Sequence, residues 1–117
     1  MQIDSEKLEN GITIVKLSGR LDILGTQAID MKFTAITATQ KALVLVDMAE
    51  VSFLASLGMR TLISSAKALA SRGGHMVICF PQANVMDVLE TSGLSSLIPV
   101  FSDLDAAMAA LQDFPGA

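Results

Sequence analysis

A short apolar run followed by a change of hydrophobic period constrains the fold of this chain more than any other feature. Residues 43–46, LVLV, are too few to cross a membrane and do not alternate with polar residues, which is typical of a central strand covered on both faces. From Met59 the apolar residues recur at helical spacing, and Gly73 and Gly74 mark the end of the helix. The stretch predicts a strand, a short turn and an amphipathic helix, with Ser56 between turn and helix.

Ser56 is the residue of this stretch that suggests a function. A serine just before a helix lies where several backbone N–H groups point outward without intrahelical partners. Its hydroxyl can cap these groups, which is worth about 1 kcal/mol. It can also carry a phosphate, because the N-terminus of a helix favours negative charge. The residues alone leave both alternatives open.

The segment before the apolar run predicts a hairpin and a helix. Asn10-Gly11 is a strong turn signal between a polar edge strand and an antiparallel strand over residues 12–18, whose irregular pattern indicates a bulge or cover on both faces. Residues 19–22 are then expected to form a turn in which Asp22 hydrogen-bonds the next element. Thr26 is expected to cap a helix that ends near Ala38.

The segment after the central helix predicts two more strands and two more helices. The strands are expected over residues 76–80 and 97–101. Asn84 is expected to start one helix, which Ser92-Gly93 ends, and Ser102 with Asp105 is expected to cap the last helix. The order β-β-α-β-α-β-α-β-α predicts one α/β domain over residues 1–117, with a mixed, mostly parallel sheet packed with four helices.

Composition and charge exclude several classes of partner. The formal net charge is −4, whereas binding to nucleic acid through phosphate contacts needs clustered Lys and Arg. No apolar run reaches the length of about 18 residues that membrane insertion needs, and the acidic N-terminus does not resemble a signal peptide. Cys79 is the only cysteine and lies in an apolar segment, so we expect a buried structural thiol and a reducing cytoplasm.

The residues needed for common catalytic and metal sites are missing. His75 is the only histidine, follows two glycines, and is expected to be an exposed loop residue. No second histidine and no other cysteine could complete a zinc site, and no phosphate-binding loop motif occurs. Asp47 and Glu50 are more simply explained as solvated residues near a strand end. We therefore expect no catalytic residue, no metal, no cofactor and no enzyme activity.

Residues 45–59, LVDMAEVSFLASLGM, resemble the signature of the STAS family, the domain shared by sulfate transporters and bacterial anti-sigma factor antagonists. In that signature a strand ending in Asp leads through V-x-F, a hydrophobic residue and D-S-S/T-G-L into a helix. The positions that match are Asp47, Val51, Phe53, Leu54, Ser56 and Gly58, with Met59 in place of the final Leu. Gly19, Arg20, Leu21 and Asp22 match the G-x-L-D that follows the second strand of the family.

The resemblance implies a partner switch. In the family the first serine of the motif is the regulatory phosphorylation site, which is Ser56 here. The unphosphorylated domain would bind a serine kinase that is also an anti-sigma factor, phosphate would release it, and a serine phosphatase would reset the cycle. The resemblance places partner contacts at Asp22, Leu54, Ala55, Leu57, Gly58 and Met59, and structural motif roles at Gly19, Asp47 and Phe53. It implies no particular oligomeric state.

Two departures from the signature support a second hypothesis. Ala55 stands where the antagonists usually have Asp, and Leu57 stands where they usually have a second Ser or Thr. Both changes make the loop less like a kinase substrate and more like an apolar contact. The alternative is therefore a constitutive STAS docking subunit, which holds a larger complex together without control by phosphate.

Overall fold

The computed structural model of the protein describes residues 1–37 and 41–114. Its strands and helices follow the predicted order β-β-α-β-α-β-α-β-α, with one added 3-10 turn, Leu94–Ser96, before the last strand. In chain order the elements are β1 Gln2–Lys7, β2 Ile12–Leu21, α1 Ile23–Thr37, β3 Leu43–Leu54, α2 Ser56–Ser71, β4 His75–Cys79, α3 Ala83–Thr91, β5 Val100–Phe101 and α4 Leu104–Gln112.

The five strands form one mixed sheet in the order β1-β2-β3-β4-β5. β1 is antiparallel to β2, and every other neighbouring pair is parallel. Because each crossover advances by one strand in the same direction, right-handed connections place α1, α2 and α3 on one face of the sheet. α4 packs on the opposite face, mainly against β4. The predicted α/β class and the mostly parallel sheet are confirmed.

Two apolar clusters cover the two faces of the sheet. Val44 and Val46 of β3 belong to the larger cluster, beneath α1 to α3, whereas Leu45 belongs to the smaller one, beneath α4. The prediction of a central strand covered on both faces is therefore confirmed. Cys79 is buried in the smaller cluster, as predicted, and burial raises the pKa of its thiol.

β2 and β3 extend well beyond β4 and β5. Their extensions occupy segments for which the sequence predicted turns. β3 continues to Leu54, although a turn was predicted between Asp47 and the helix, and β2 runs through the predicted turn as far as Leu21. β3 pairs with β4 only from Leu43 to Asp47. Pairing with β2, with two register shifts, keeps the remainder of β3 extended, and these shifts confirm the predicted irregularity of β2.

The helix starts also differ from the capping predictions. α1 begins at Ile23, three positions before the buried Thr26, because Asp22 takes the capping position. Asn84 does not cap α3, which starts after Gln82. The cap of α4 is Asp103 and not Ser102, since its carboxylate accepts hydrogen bonds from the first turn. These errors arise because several neighbouring polar residues could each serve as the cap.

Two further predicted boundaries are only partly matched. The strand expected over residues 97–101 is reduced to Val100–Phe101, because the N–H groups of Leu97 and Ile98 still bond back to the Leu94 carbonyl oxygen at the end of the 3-10 turn. The predicted end of α1 at Ala38 lies outside the described residues. The hairpin is confirmed, with Gly11 at φ +87° and the Asn10 side chain accepting a hydrogen bond from the Ile12 N–H at 3.1 Å.

Candidate functional site

The carboxyl ends of β2 and β3 meet at the tip of their shared extension. Leu21 is paired with Leu54, and the Ala55 N–H donates a 2.9 Å hydrogen bond to the carbonyl oxygen of Leu21. The next residues begin α1 and α2, so the first turns of both helices lie side by side at this tip. The sequence-predicted site is assembled here from two segments that are more than thirty positions apart in the chain.

Asp22 is held in place by bonds to its own loop. Its Oδ1 accepts a 2.8 Å hydrogen bond from the Gly25 N–H, and its Oδ2 lies 3.5 Å from Nε of Arg20. The Gly25 hydrogen bond is the larger cause, and Arg20 the smaller, of a pKa for Asp22 below its ordinary value. The prediction that Asp22 hydrogen-bonds the next element is confirmed, and the carboxylate remains half-exposed at the tip.

Arg20 links the Asp22 loop to the motif on β3. Its guanidinium carbon lies 4.4 Å from the ring centroid of Phe53, its cross-strand neighbour. A cation over an aromatic face is stabilised by about 0.5–1 kcal/mol at an exposed site. Phe53 is 37% exposed, so its ring is part of the surface as well as a support for Arg20.

Ser56 is the first residue of α2 and not its cap. The N-terminal capping position is Ala55, and among the described residues no side chain caps this end of the helix. The structure therefore excludes the capping role for the Ser56 hydroxyl. Ser56 is exposed, and it lies among backbone N–H groups that a negatively charged group would satisfy.

Two glycines allow the helix starts to approach the end of β2. A Cβ on Gly58 would lie 3.0 Å from Leu54 Cδ1 and 3.1 Å from Leu21 Cβ, tighter than ordinary contacts. A Cβ on Gly25 would overlap the carbonyl oxygen of Arg20. Both sites therefore need glycine for close packing and not for an unusual φ.

The residues predicted to contact a partner fall into two groups, one partly exposed at the surface and one buried beneath it. Ala55, Leu57 and Met59 are half-buried at the start of α2, where part of each side chain faces solvent. Leu54 is only 3% exposed, and Gly58 is buried. Their positions are those of packing residues that hold the surface, since neither presents much area to a partner.

Sequence reasoning missed the apolar residues that α1 contributes to this surface. Ile23 and Leu24 are 61% and 77% exposed in the first turn of α1, directly after Asp22. They lie outside the buried stripe of Ile29 and Phe33, and that mismatch was the signal available in the sequence. With Phe53 they give the tip an apolar surface of the kind that marks interaction sites.

The start of α3 braces the outer edge of the β3 extension. Asn84 Nδ2 donates a 2.8 Å hydrogen bond to the carbonyl oxygen of Ser52, and Gln82 Nε2 donates a 2.9 Å bond to that of Ala49. These side chains bond β3 carbonyls beyond Asp47, where the β4 ladder has ended. The role of Asn84 is thus to support the site and not to cap a helix.

The other two motif residues have local roles away from the tip. Asp47 Oδ1 accepts a 2.9 Å hydrogen bond from the Ala49 N–H, at the point where β4 stops pairing. Gly19 has φ +115°, and a Cβ there would lie 3.1 Å from Cα of Met1. Gly19 therefore lets β2 change register beside the N-terminus.

No group of three or more His, Cys, Asp or Glu in residues 1–37 and 41–114 could hold a metal ion. His75 is not an exposed loop residue, as was predicted, but a half-buried residue at the start of β4. Its ring stacks on Phe114 with centroids 4.2 Å apart and planes 4° apart. Burial lowers the pKa of His75.

Comparison with known proteins identifies the fold. The chain is 27% identical over 113 residues to the anti-sigma F factor antagonist of Paenibacillus polymyxa, with 96% of each chain covered. Its structure matches an anti-sigma factor antagonist from Mycobacterium paratuberculosis with a TM-score of 0.84 and 23% identity, over 96% of this chain and 94% of that one.

A further structural match is SpoIIAA of Bacillus, which is known in two forms. The unphosphorylated form gives a TM-score of 0.74 with 20% identity, over 95% of this chain and 96% of that one. The phosphorylated form gives a TM-score of 0.66 with 18% identity, over 92% of this chain and 97% of that one.

In the part of the chain that the structure describes, no helix is long and apolar enough to cross a membrane. The model of the STAS domain matches residues 5–107, and this chain belongs to the STAS family.

Proposed function

We propose that this protein is an anti-sigma factor antagonist, a regulator that acts by binding another protein and is switched by phosphorylation of Ser56. The observation that carries the proposal is the exposed Ser56 hydroxyl at the uncapped start of α2, beside an exposed apolar surface. The relative from Paenibacillus polymyxa, similar along nearly its whole length, supports the choice of partner. The proposal places the protein in the cytoplasm, where an anti-sigma factor acts.

The binding surface is the tip formed by β2 and β3, with the first turns of α1 and α2. Ile23, Leu24 and Phe53 supply apolar area, and Asp22 supplies a fixed negative charge. Apolar residues at the centre with polar and charged groups at the rim are typical of protein interfaces. Among the described residues this region has no cluster of metal ligands, and a purely binding role accounts for its composition.

Phosphate on Ser56 would act on binding and not on the fold. A phosphoserine adds roughly −1.5 to −2 charges, and the helix N-terminus stabilises them by about 0.3–1 kcal/mol. Covering the same dianion with an apolar partner costs several kcal/mol if no cation meets it. A loss of about 2.7 kcal/mol lowers affinity a hundredfold. One phosphate is therefore sufficient to release the partner, and a phosphatase would restore binding.

The test uses the anti-sigma factor kinase encoded nearest to this gene. Incubation with ATP followed by mass spectrometry should locate phosphate on Ser56 and none on Ser56→Ala. Calorimetry should show that Ser56→Asp weakens binding about a hundredfold, whereas Ser5→Asp, on the exposed edge strand β1, does not. Absence of phosphate on the wild type, or equal labelling of Ser56→Ala, would overturn the switch.

A constitutive docking subunit is the second candidate. Ala55 and Leu57 favour it, because both flank Ser56 with apolar surface and neither provides the polar side chain of the family signature. On this account Ser56→Asp and the wild type would bind the same partner equally. The calorimetric comparison therefore decides between the two candidates.

A further inference from the structure

Arg60 is an exposed arginine of α2, one helical turn after Ser56. It is the only charged residue in positions 56–66. Among residues 1–37 and 41–114, no carboxylate lies within ion-pair distance of its guanidinium. The exposed Asp30 of α1 lines a hollow together with Arg60, yet the two side chains do not pair. Arg60 can therefore take an anionic partner without breaking an existing ion pair.

The other two arginines of the chain are already engaged. Arg20 lies 3.5 Å from the Asp22 carboxylate, and its guanidinium lies over an aromatic ring at 4.4 Å. Arg72, just beyond the last residue of α2, donates a 2.9 Å hydrogen bond to a main-chain carbonyl oxygen of that helix. A new anion would have to draw Arg20 away from two contacts. Arg60 is thus the arginine that is available to a group on Ser56.

The spacing of Ser56 and Arg60 suits an ion pair along the helix. Residues four apart on a helix are neighbours, with Cβ atoms about 5–6 Å apart. Because Cα–Cβ bonds tilt toward the N-terminus of a helix, the Arg60 side chain leaves the backbone in the direction of Ser56. An anion four residues before a cation is also the better order, since it agrees with the helix dipole. A phosphate on Ser56 would lie within reach of the guanidinium.

We propose that Arg60 is the counter-ion that binds a phosphate carried by Ser56. The planar guanidinium would donate two hydrogen bonds to phosphate oxygens, for which its fork of donors is suited. Ala55 and Leu57 flank Ser56, so no carboxylate next to it in the chain repels the phosphate. The occurrence of the phosphate rests on the proposed function, whereas the pairing of the two side chains does not.

The pairing favours release of the partner. A phosphate dianion bound to one guanidinium still carries a net negative charge. Taking such a pair out of water can cost more than the attraction between its members returns, so an apolar partner would still be displaced. Arg60 would stabilise the phosphate where water can reach it, in the free protein. The phosphorylated state is therefore expected to be the unbound one.

The first test needs neither a kinase nor a partner. Phosphoserine is incorporated at position 56 of the full chain, and the second pKa of its phosphate is measured by phosphorus NMR. A nearby cation favours the doubly charged phosphate, so Arg60→Gln should raise this pKa by about 0.3. Arg60→Lys keeps the charge and should raise the pKa less. Arg72→Gln removes the same charge at the far end of α2 and should leave the pKa unchanged.

Two further measurements separate pairing from a general effect on the fold. Without phosphate, Arg60→Gln should melt at the wild-type temperature, because no ion pair within the described residues is lost. In the phosphorylated wild type, the NMR signal of the Arg60 Nε–H group should move as the phosphate titrates, and that of Arg20 should move less. An unchanged phosphate pKa in Arg60→Gln, or a larger rise in Arg20→Gln, would overturn the proposal.

This outcome is independent of the kinase experiment under the proposed function. If the kinase leaves Ser56 unlabelled, the switch fails, and the incorporated phosphoserine still decides the pairing. If the kinase labels Ser56 and Arg60→Gln leaves the phosphate pKa unchanged, the proposed function stands and the pairing fails.

Discussion

The Ala55 N–H donates a hydrogen bond to the Leu21 carbonyl oxygen over 2.9 Å, and this bond joins the two halves of the site. Leu21 ends β2 and Ala55 follows β3, so the bond holds the starts of α1 and α2 beside one another. Ser56 and Asp22 are the next residues on either side. Their neighbourhood is therefore fixed by main-chain pairing and does not depend on a contact between their own side chains.

Gly25→Ala should destabilise the protein. The added Cβ would overlap the Arg20 carbonyl oxygen, which is main chain and cannot move aside cheaply. We expect a loss of about 2 kcal/mol in the free energy of unfolding, measured by urea denaturation. Ala28→Ser, an exposed change on the same helix, should stay within about 0.5 kcal/mol of the wild type. An unchanged urea midpoint for Gly25→Ala would contradict the packing described here.

Protonation of Asp22 in acid should lower the stability of the fold. Its pKa in the folded protein is lowered from 3.8, first by the Gly25 hydrogen bond and then by Arg20. The unfolded chain therefore takes up a proton at higher pH than the folded one, and the stability from this group is fully present above 3.8 and is lost as pH falls through the folded value. Asp22→Asn should flatten the acid limb of the stability curve.

NMR titration of the Asp22 carboxyl tests the two causes separately. In Arg20→Gln the pKa should move only part of the way back toward its ordinary value, because the Gly25 hydrogen bond is the larger cause. A complete return to the ordinary value would show that Arg20 dominates.

Protonation of His75 should also destabilise the fold, over a higher pH range. Burial lowers its pKa from 6.5, so the unfolded chain binds a proton first and stability falls as pH drops below 6.5 toward the folded value. His75→Phe keeps a ring to stack on Phe114 and removes the titration. The melting temperature of the wild type should fall between about pH 7.5 and about pH 5.5 more than that of the variant. Equal changes in the two proteins would refute this assignment.

Asn84→Ala should loosen the β3 extension while leaving the sheet intact. The variant loses the 2.8 Å bond to the Ser52 carbonyl oxygen, in a region where β4 no longer pairs with β3. We expect a loss of about 1 kcal/mol, with faster amide exchange at Phe53 and Leu54 than at Val44 and Val46. Asp87→Ala, an exposed change on the same helix, serves as the control. Uniform acceleration of exchange across β3 would contradict a local brace.

Periodicity and short motifs in the sequence were enough to predict the element order, the sheet class and the position of Ser56 at the start of a helix. These features depend on local patterns, such as the apolar run of residues 43–46 and the glycines after α2. They survive in the structure because tertiary packing agrees with them.

Only the tertiary structure decided how far β2 and β3 extend, which residue caps each helix, and what surrounds Ser56. Pairing across more than thirty positions keeps residues 48–54 in a strand, and no local pattern carries that information. Close packing against the end of β2 made Gly25 and Gly58 necessary, and the fold left Ile23 and Leu24 exposed in the first turn of α1. The sequence determined that Ser56 stands at the start of a helix, and long-range pairing decided what surface surrounds it.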